Sequence, residues 1–182
     1  MSHTMVPAPS CEVCSFDWNS LVEAHLPSYI PFHIVVEVLS KYIFRSIVDE
    51  GESISILSST ASEAMGSPSL VSIDDWISSF NRIPSQPLGI LPQFPILLGG
   101  KIVCIDVMVV RGPLDFNLLL GWDYVYAMKA VVSSLFRVMH FPHNGNIVTI
   151  DQFSFITPKS CPRFQHTNSL GFPVVMVASP PQ

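Results

Sequence analysis

The sequence predicts a mostly-β fold in one domain. Between residues 32 and 156, runs of β-branched and other apolar residues alternate with short turns, which is the pattern of strands joined by hairpins. The dipeptides Gly99-Gly100 and Asn144-Gly145 can take the positive φ values that a two-residue hairpin turn requires. Only residues 122–134 form a segment long enough for a helix of several turns with apolar residues at helical spacing. We therefore expect a strand-rich domain with one main helix.

Length and composition predict a single domain flanked by two tails. The 182 residues suffice for one ordinary domain with a core, and 48% hydrophobic against 13% charged residues favours a compact fold over disorder. Residues 1–31 contain several prolines, so we interpret them as a leader or linker. Residues 157–182 have the composition of a Pro/Ser-rich tail, in which the apolar run 174–177 could still dock. The domain itself is expected over residues 32–156.

Charge and cysteine usage exclude several classes of partner. The net charge is −5 and the nine Lys and Arg residues are dispersed, so we expect no nucleic-acid partner. Charged residues interrupt the most apolar windows, 94–110 and 118–139, which predicts no membrane span. The start of the chain lacks the pattern of a signal peptide. Cys11 and Cys14 have the spacing of two metal ligands, but a zinc site needs four, and Cys104 and Cys161 are isolated. We expect a cytoplasmic (intracellular, reducing) protein with free thiols and no metal.

The first predicted hairpin delivers an acidic residue to the end of a strand. Strands over residues 32–39 and 42–48 are joined by Ser40-Lys41, and the second strand ends directly before Asp49. A second segment, residues 115–123 (DFNLLLGWD), also places polar residues around an apolar run and contains Asp123. Because Asp123 opens the predicted helix, where a carboxylate complements the helix dipole and accepts from free amides, we assign it a role at the start of that helix.

The remaining elements follow from capping, turn and periodicity signals. Thr60 and Glu63 have the spacing of a capping box, which predicts a helix of one or two turns. The two glycine-containing turns predict hairpins with strands over residues 88–98, 101–110, 136–141 and 147–152. In the main helix, the apolar positions expected to face the sheet are Trp122, Val125, Met128 and Val132.

Together these segments resemble a retropepsin-like aspartic protease domain, in particular that of the Gag-Pol polyproteins of plant gypsy-type LTR retrotransposons. In that family a strand ends in Asp-Ser/Thr-Gly, and a later apolar strand ends in Leu/Ile-Leu-Gly behind this loop. The corresponding residues are Asp49-Glu50-Gly51 and Leu119-Leu120-Gly121. The similarity extends in the same order over residues 47–57, 87–95, 98–110, 114–128 and 136–153.

The resemblance implies a fold, an activity and an assembly. The fold would be a retropepsin-like (acid protease) closed β-barrel or sandwich with one main helix. The activity would be that of an aspartic endopeptidase that cleaves a polypeptide, with the polyprotein itself as the expected substrate and with no cofactor. Because the chain contains a single Asp-x-Gly triplet, a pair of aspartates requires a two-fold homodimer.

The resemblance also implies roles for individual residues. Asp49 would be the catalytic acid and base, and Gly51 would bend the loop through an unusual φ. Glu50 and Ser53 would complete the loop, while Leu119, Leu120 and Gly121 would support it from behind. Residues 78–86 fall where the family has a flap over the substrate, which makes Phe80, Asn81, Arg82 and Ile83 candidate substrate contacts; an ordinary exposed loop fits this stretch equally well.

Two departures from the family pattern keep an alternative open. Glu50 replaces the Ser or Thr whose hydroxyl locks the two loops of a dimer together, and Trp122 replaces an Arg that many relatives carry. Both departures favour a catalytically inactive retropepsin-fold module for dimerisation or peptide binding.

Overall fold

The structure, a computed structural model, describes residues 14–16, 29–72, 86–154 and 177–178. Within these ranges the elements are β1 (His33–Val38), β2 (Lys41–Val48), β3 (Ser55–Ser58), α1 (Ser59–Ala64), β4 (Gln86–Leu98), β5 (Lys101–Arg111), β6 (Leu118–Leu120), α2 (Trp122–Met128), β7 (Val131–Ser133), β8 (Val138–His143), β9 (Asn146–Asp151), a 3₁₀ turn (Gln152–Ser154) and β10 (Val177–Ala178).

Six strands form a closed barrel. Their order is β1-β4-β5-β3-β6-β2, and β1 also pairs with β2, which closes the ring. Strand β10 extends the sheet by pairing with the first half of β2, where Val177 is opposite Ile43. Strands β7, β8 and β9 form a separate antiparallel sheet. The expectation of a mostly-β closed barrel with one main helix is confirmed.

Tight turns with positive φ define three hairpins. Gly99 and Gly100 join β4 to β5 with φ values of 54° and 83°, and Asn144 and Gly145 join β8 to β9 with 50° and 79°. Both turns were expected from their residue types. The β1–β2 turn is centred on Leu39 and Ser40, at φ 49° and 61°, one residue before the expected Ser40-Lys41. Since neither residue is a glycine, the sequence carries no local sign of this left-handed turn.

The main core fills the barrel. Alternate residues of β1, such as Ile34 and Val36, point inwards and are almost fully buried. Strand β6 is buried on both faces, because Leu118 and Leu120 belong to the main core while Leu119 packs with a smaller cluster. The other buried members of that cluster are Ile56, Met108 and Val110. The short strand β6 is therefore held from both sides.

Helix α2 is shorter than its periodicity predicts. It ends at Met128 because Lys129 adopts a left-handed conformation, with φ of 54°. Val132, expected on the helix, lies in β7. The expectation that Trp122 faces the sheet was wrong, since its side chain is 51% exposed and Tyr124 is buried in its place. The apolar spacing continued past the true helix end and therefore overestimated its length.

Helix α1 begins earlier than the capping box suggests. Ser58 is the N-cap, and its Oγ accepts a hydrogen bond of 3.1 Å from the amide of Ala61. Thr60 lies inside the first turn and is exposed. Serine and threonine are both good N-caps, so the choice between Ser58 and Thr60 depends on where β3 ends.

Ordered contacts continue on the N-terminal side of β1. Ile30 is buried, and its carbonyl accepts a 2.6 Å hydrogen bond from Arg137 Nη1. Phe16 stacks on Phe136 with ring centroids 4.8 Å apart. The domain limits of 32 and 156 stay a prediction. Among the described residues, no helix is long and apolar enough to cross a membrane.

Candidate active site

The candidate site is built where β6 passes between β2 and β3. Strand β6 pairs in parallel with the end of β2, so that Val48 is opposite Leu120. On its other side β6 is antiparallel to β3, with Ile56 opposite Leu119. The loop of residues 49–54 leaves β2 and enters β3, so both of its ends are fixed to the same short strand.

Asp49 lies at the start of this loop, exposed to solvent. Its amide donates a 2.9 Å hydrogen bond to the carbonyl of Leu120, and its carbonyl accepts a 3.2 Å bond from the amide of Glu52. The amide of Gly51 donates to Asp49 Oδ1 at 2.9 Å. One carboxylate oxygen is therefore held by the loop itself, while the group as a whole stays accessible.

Gly51 lies close to the carboxylate of Asp49. A Cβ at this position would lie 3.1 Å from Asp49 Oδ1, which is tighter than an ordinary contact. The described glycines with positive φ are Gly66, Gly89, Gly99, Gly100 and Gly145, and Gly51 is not among them. The expectation that Gly51 supplies an unusual φ was therefore wrong; its small size lets its amide approach the carboxylate.

Gly121 lies directly behind the loop, at the end of β6. A Cβ there would lie 2.7 Å from the carbonyl oxygen of Ile54 and 2.8 Å from that of Glu52. Any larger residue would have to displace the loop backbone. Leu119 and Leu120 precede it as buried strand residues. The next amide, that of Trp122, donates a 2.7 Å hydrogen bond to Glu52.

Asp123 joins helix α2 to strand β3. Its carboxylate accepts a 2.7 Å hydrogen bond from Ser55 Oγ and a 3.0 Å bond from the Ser55 amide. Ser55 Oγ in turn accepts from the amide of Gly121 at 3.0 Å. Asp123 also accepts from the amide of Tyr124 at 2.7 Å, which is the helix-opening role expected for it.

The Ser55–Asp123 link was missed by the sequence reasoning. Asp123 had the same sequence signature as any acidic residue in the first turn of a helix, and Ser55 was one of several loop serines. The pairing depends on β3 lying beside the start of α2, across 68 residues. Only the position of Asp123 immediately beyond the Leu-Leu-Gly strand could have suggested a contact with the loop.

Glu50 and Ser53 lie on the solvent side of the loop. Both side chains are exposed, and neither forms a side-chain hydrogen bond with the described residues. Trp122 is also exposed and lies next to Tyr126, with ring centroids 6.1 Å apart. Exposed side chains are therefore found both on the loop, at Glu50 and Ser53, and on helix α2, at Trp122 and Tyr126.

The expected flap residues Phe80, Asn81, Arg82 and Ile83 lie outside the described residues. On either side of this segment, Val71 and Ile90 exchange two backbone hydrogen bonds, each of 2.9 Å. This pair of hydrogen bonds joins the stretch before the segment to strand β4.

His33 is the titratable group next to the site on β1. It pairs with Ile47, two residues before Asp49. Burial, together with the charges of Arg45 and Arg137, lowers the pKa of His33 to about 4.

Within the described part of the chain, no three His, Cys, Asp or Glu side chains are grouped so that they could hold a metal ion.

Comparison with solved structures identifies the architecture. The retroviral protease-like domain of Ddi1 from Leishmania major matches with a TM-score of 0.53 and 16% identity, over 66% of this chain and 94% of that one. The fold is retropepsin-like. A retropepsin-like aspartic protease from Rickettsia conorii also matches, with a TM-score of 0.44 and 19% identity over 56% of this chain and 75% of that chain.

The similarity to the Ddi1 domain concerns the fold alone, because the identity is 16%. No protein-family model matches the chain, and no curated protein matches it. Within the retropepsin-like fold, the candidate site is therefore argued from the geometry of Asp49 and its neighbours.

Proposed function

We propose that this protein is an aspartic endopeptidase that acts as a homodimer. The observation that carries the proposal is the setting of Asp49, an exposed carboxylate at the end of a buried strand with the Gly51 amide 2.9 Å from Oδ1. Aspartic proteolysis needs such a carboxylate, open to substrate and fixed by the backbone. The retropepsin-like fold supports the same activity.

The chemistry requires two carboxylates, and each chain contributes one Asp49. Two carboxylates held close together share one proton, because ionising both is unfavourable. The ionised Asp49 takes a proton from the attacking water while the protonated one gives its proton to the peptide carbonyl oxygen. When the tetrahedral intermediate collapses, the C–N bond breaks, the leaving nitrogen takes the proton that came from the water, and the other Asp49 takes back a proton from a hydroxyl of the intermediate. Pairing two copies across a twofold axis supplies the second group.

The proposed substrate is an extended polypeptide. It would lie over the pair of Asp49 carboxylates. The order of the sequence segments shared with plant gypsy-type elements supports a retrotransposon origin, with the Gag-Pol polyprotein as the target.

An inactive dimerisation or peptide-binding module is the second candidate function. The exposed side chain of Glu50 favours it, because a carboxylate cannot provide the hydroxyl that would join two loops. Such a module would bind a peptide or a second copy without hydrolysing it.

Replacing Asp49 by Asn tests the choice between these functions. The change keeps the shape and removes the ionisable oxygen, so we expect cleavage of an unfolded protein at acidic pH to fall about 10²- to 10⁴-fold. Asp115→Asn, at an exposed aspartate outside the loop, is the matched control and should retain activity. An aspartic-protease inhibitor should stop cleavage by the wild type. Wild-type turnover by Asp49→Asn would exclude the proposed role, and no cleavage by any of the three proteins would favour the binding module.

A further inference from the structure

The sheet of β7, β8 and β9 carries a buried histidine on its outer face. In β8, Met139 and Phe141 belong to the main core, so His140, which lies between them, points to the opposite face of the sheet. Its side chain is nevertheless only 7% exposed. The residues opposite it are Val131 on β7 and Thr149 on β9, and both are exposed. A segment from outside the sheet must therefore cover His140.

The cover is provided by residues 14–16, which we call the N-terminal arm. The Phe16 ring lies edge-on to the His140 ring, with centroids 5.2 Å apart, and it stacks on the Phe136 ring at 4.8 Å. Further along the chain, Ile30 is fixed separately, because its carbonyl accepts a hydrogen bond of its own. The arm can therefore leave this face without loss of the contact that precedes β1.

The surroundings of His140 favour its neutral form. Nδ1 lies 2.9 Å from Thr149 Oγ1, whereas Nε2 is buried and has no hydrogen-bond partner among the described residues. A protonated imidazole carries a hydrogen on both nitrogens, so Nε2 would then need an acceptor. Burial accordingly lowers the pKa of His140. A charged imidazole is better accommodated once water can reach Nε2.

We propose that the N-terminal arm docks on the face formed by Phe136 and His140 and is released in acid, when His140 takes up a proton. The occupant of this surface is the chain's own Phe16. Its release would open an apolar face around Phe136, next to the exposed side chain of Val131. The inference does not depend on Asp49, because none of these groups belongs to the proposed site.

Other titratable groups on the packed elements are few. Strand β7 contains none, β9 contains Asp151, and the arm contains Cys14. Asp151 lies at the end of β9, where its Oδ1 accepts a 2.8 Å hydrogen bond from the amide of Phe153. The carboxylate is thus already engaged within its own turn.

The remaining basic groups next to His140 in sequence are directed elsewhere. His143 lies three residues further along β8 and therefore points to the opposite face, where a Cβ at Gly100 would lie 3.4 Å from its Nε2. Arg137, directly before β8, donates to the carbonyl of Ile30. On the covered face, His140 is therefore the group whose protonation the arm opposes.

The first test measures the titration of His140 by NMR in the full chain. If docking opposes protonation, removing the ring with Phe16→Ala should raise the pKa of His140 towards its ordinary value of 6.5. The titration curve of His143 should coincide in the two proteins and serves as the matched control. Thermal unfolding checks that the variant is folded.

The second test measures release of the arm by electron paramagnetic resonance. A spin label is attached to Cys14 in a chain whose other three cysteines are replaced by serine. We expect the ratio of mobile to immobile label to rise by up to about tenfold between about pH 7.5 and 5.5, because the released histidine takes up its proton near pH 6.5. His140→Gln should abolish this rise, and the control His143→Gln should retain it.

Four results would overturn the inference. Identical titration of His140 in wild type and Phe16→Ala would show that the arm does not oppose protonation. A label whose mobility is the same at both pH values would show that the arm is not released. A label that becomes less mobile in acid would show that the charged imidazole attracts the Phe16 ring. A rise that persists in His140→Gln would assign the pH dependence to another group, such as Asp151.

Discussion

Gly51 and Gly121 leave room for oxygen atoms on the two sides of one loop. A Cβ at Gly51 would contact the carboxylate of Asp49, and a Cβ at Gly121 would contact two backbone carbonyls of the loop. A side chain at Gly51 would press on the carboxylate of Asp49, and one at Gly121 would displace the loop backbone at Glu52 and Ile54. The Asp-x-Gly and Leu-Leu-Gly patterns could be recognised in the sequence, but the steric reason for the glycines depends on atoms that only the folded loop brings together.

His33 should make stability depend on pH. Its pKa falls from 6.5 to about 4 in the folded state, first through burial and then through Arg45 and Arg137. Between these values the unfolded chain binds a proton that the folded chain does not, so the free energy of unfolding decreases as pH falls from 6.5 and levels off below 4. The shift corresponds to about 3 kcal/mol at most, less where solvent screens the charges.

His33→Gln removes this titration. Denaturant unfolding at pH 7, 5.5 and 4 should therefore show a smaller loss of stability in the variant than in the wild type. Equal losses in the two proteins would show that other groups account for the acid sensitivity. The loss of stability between pH 6.5 and 4 bears on the proposed function, because the cleavage assay is carried out at acidic pH.

At the scale of elements, the Ser55–Asp123 link joins β3, β6 and α2 beneath the Asp49 loop. Ser55→Ala leaves the Gly121 amide and the Asp123 carboxylate each without one partner, which typically costs about 1–3 kcal/mol of unfolding free energy. We expect this loss together with a lower kcat, because the loop is less firmly placed.

Ser46→Ala is the matched control for that link. Ser46 is equally buried, but its Oγ donates at 3.0 Å to the carbonyl of Ile43 within β2. Ser46→Ala should lower the free energy of unfolding less than Ser55→Ala does, and it should leave kcat unchanged. If the two variants have the same kcat, the link supports the fold without positioning the loop.

An element could be predicted from the sequence where its own residues impose its geometry. The hairpins at Gly99-Gly100 and Asn144-Gly145 were predictable, since the turn residues themselves impose the geometry. The end of α2 was not, because Lys129 takes a left-handed conformation that lysine does not favour. The contact between Ser55 and Asp123 was missed for a different reason: it joins elements 68 residues apart in sequence.

At the scale of the whole molecule, the closed barrel came from the family resemblance and not from strand patterns. Pairing of β1 with both β4 and β2 closes the ring, and no turn or periodicity signal encodes it. The short pairing of β10 with β2 was likewise open, with only the apolar run at residues 174–177 to suggest docking.

The assembly prediction concerns Glu50. Two like charges about 6 Å apart in an effective dielectric near 20 repel by roughly 3 kcal/mol, so Glu50→Thr should tighten the dimer about tenfold or more. The difference between variant and wild type should shrink at high salt, because ions screen exposed charges. Glu63→Thr, at an exposed glutamate on α1, controls for general charge effects. Equal dissociation constants for Glu50→Thr and wild type at low salt would show that the side chains point away from the axis.

The position of β6 between β2 and β3 also determines when the site can form during folding. Asn117, just before β6, donates a 2.8 Å hydrogen bond to the carbonyl of Phe44 across 73 residues. Contacts so distant in sequence close late and slow the folding of small domains. Asp49 is synthesised before β6, so its loop lacks the strand behind it until β6 has also been made. A nascent or truncated chain that ends before β6 therefore contains the aspartate without an organised site.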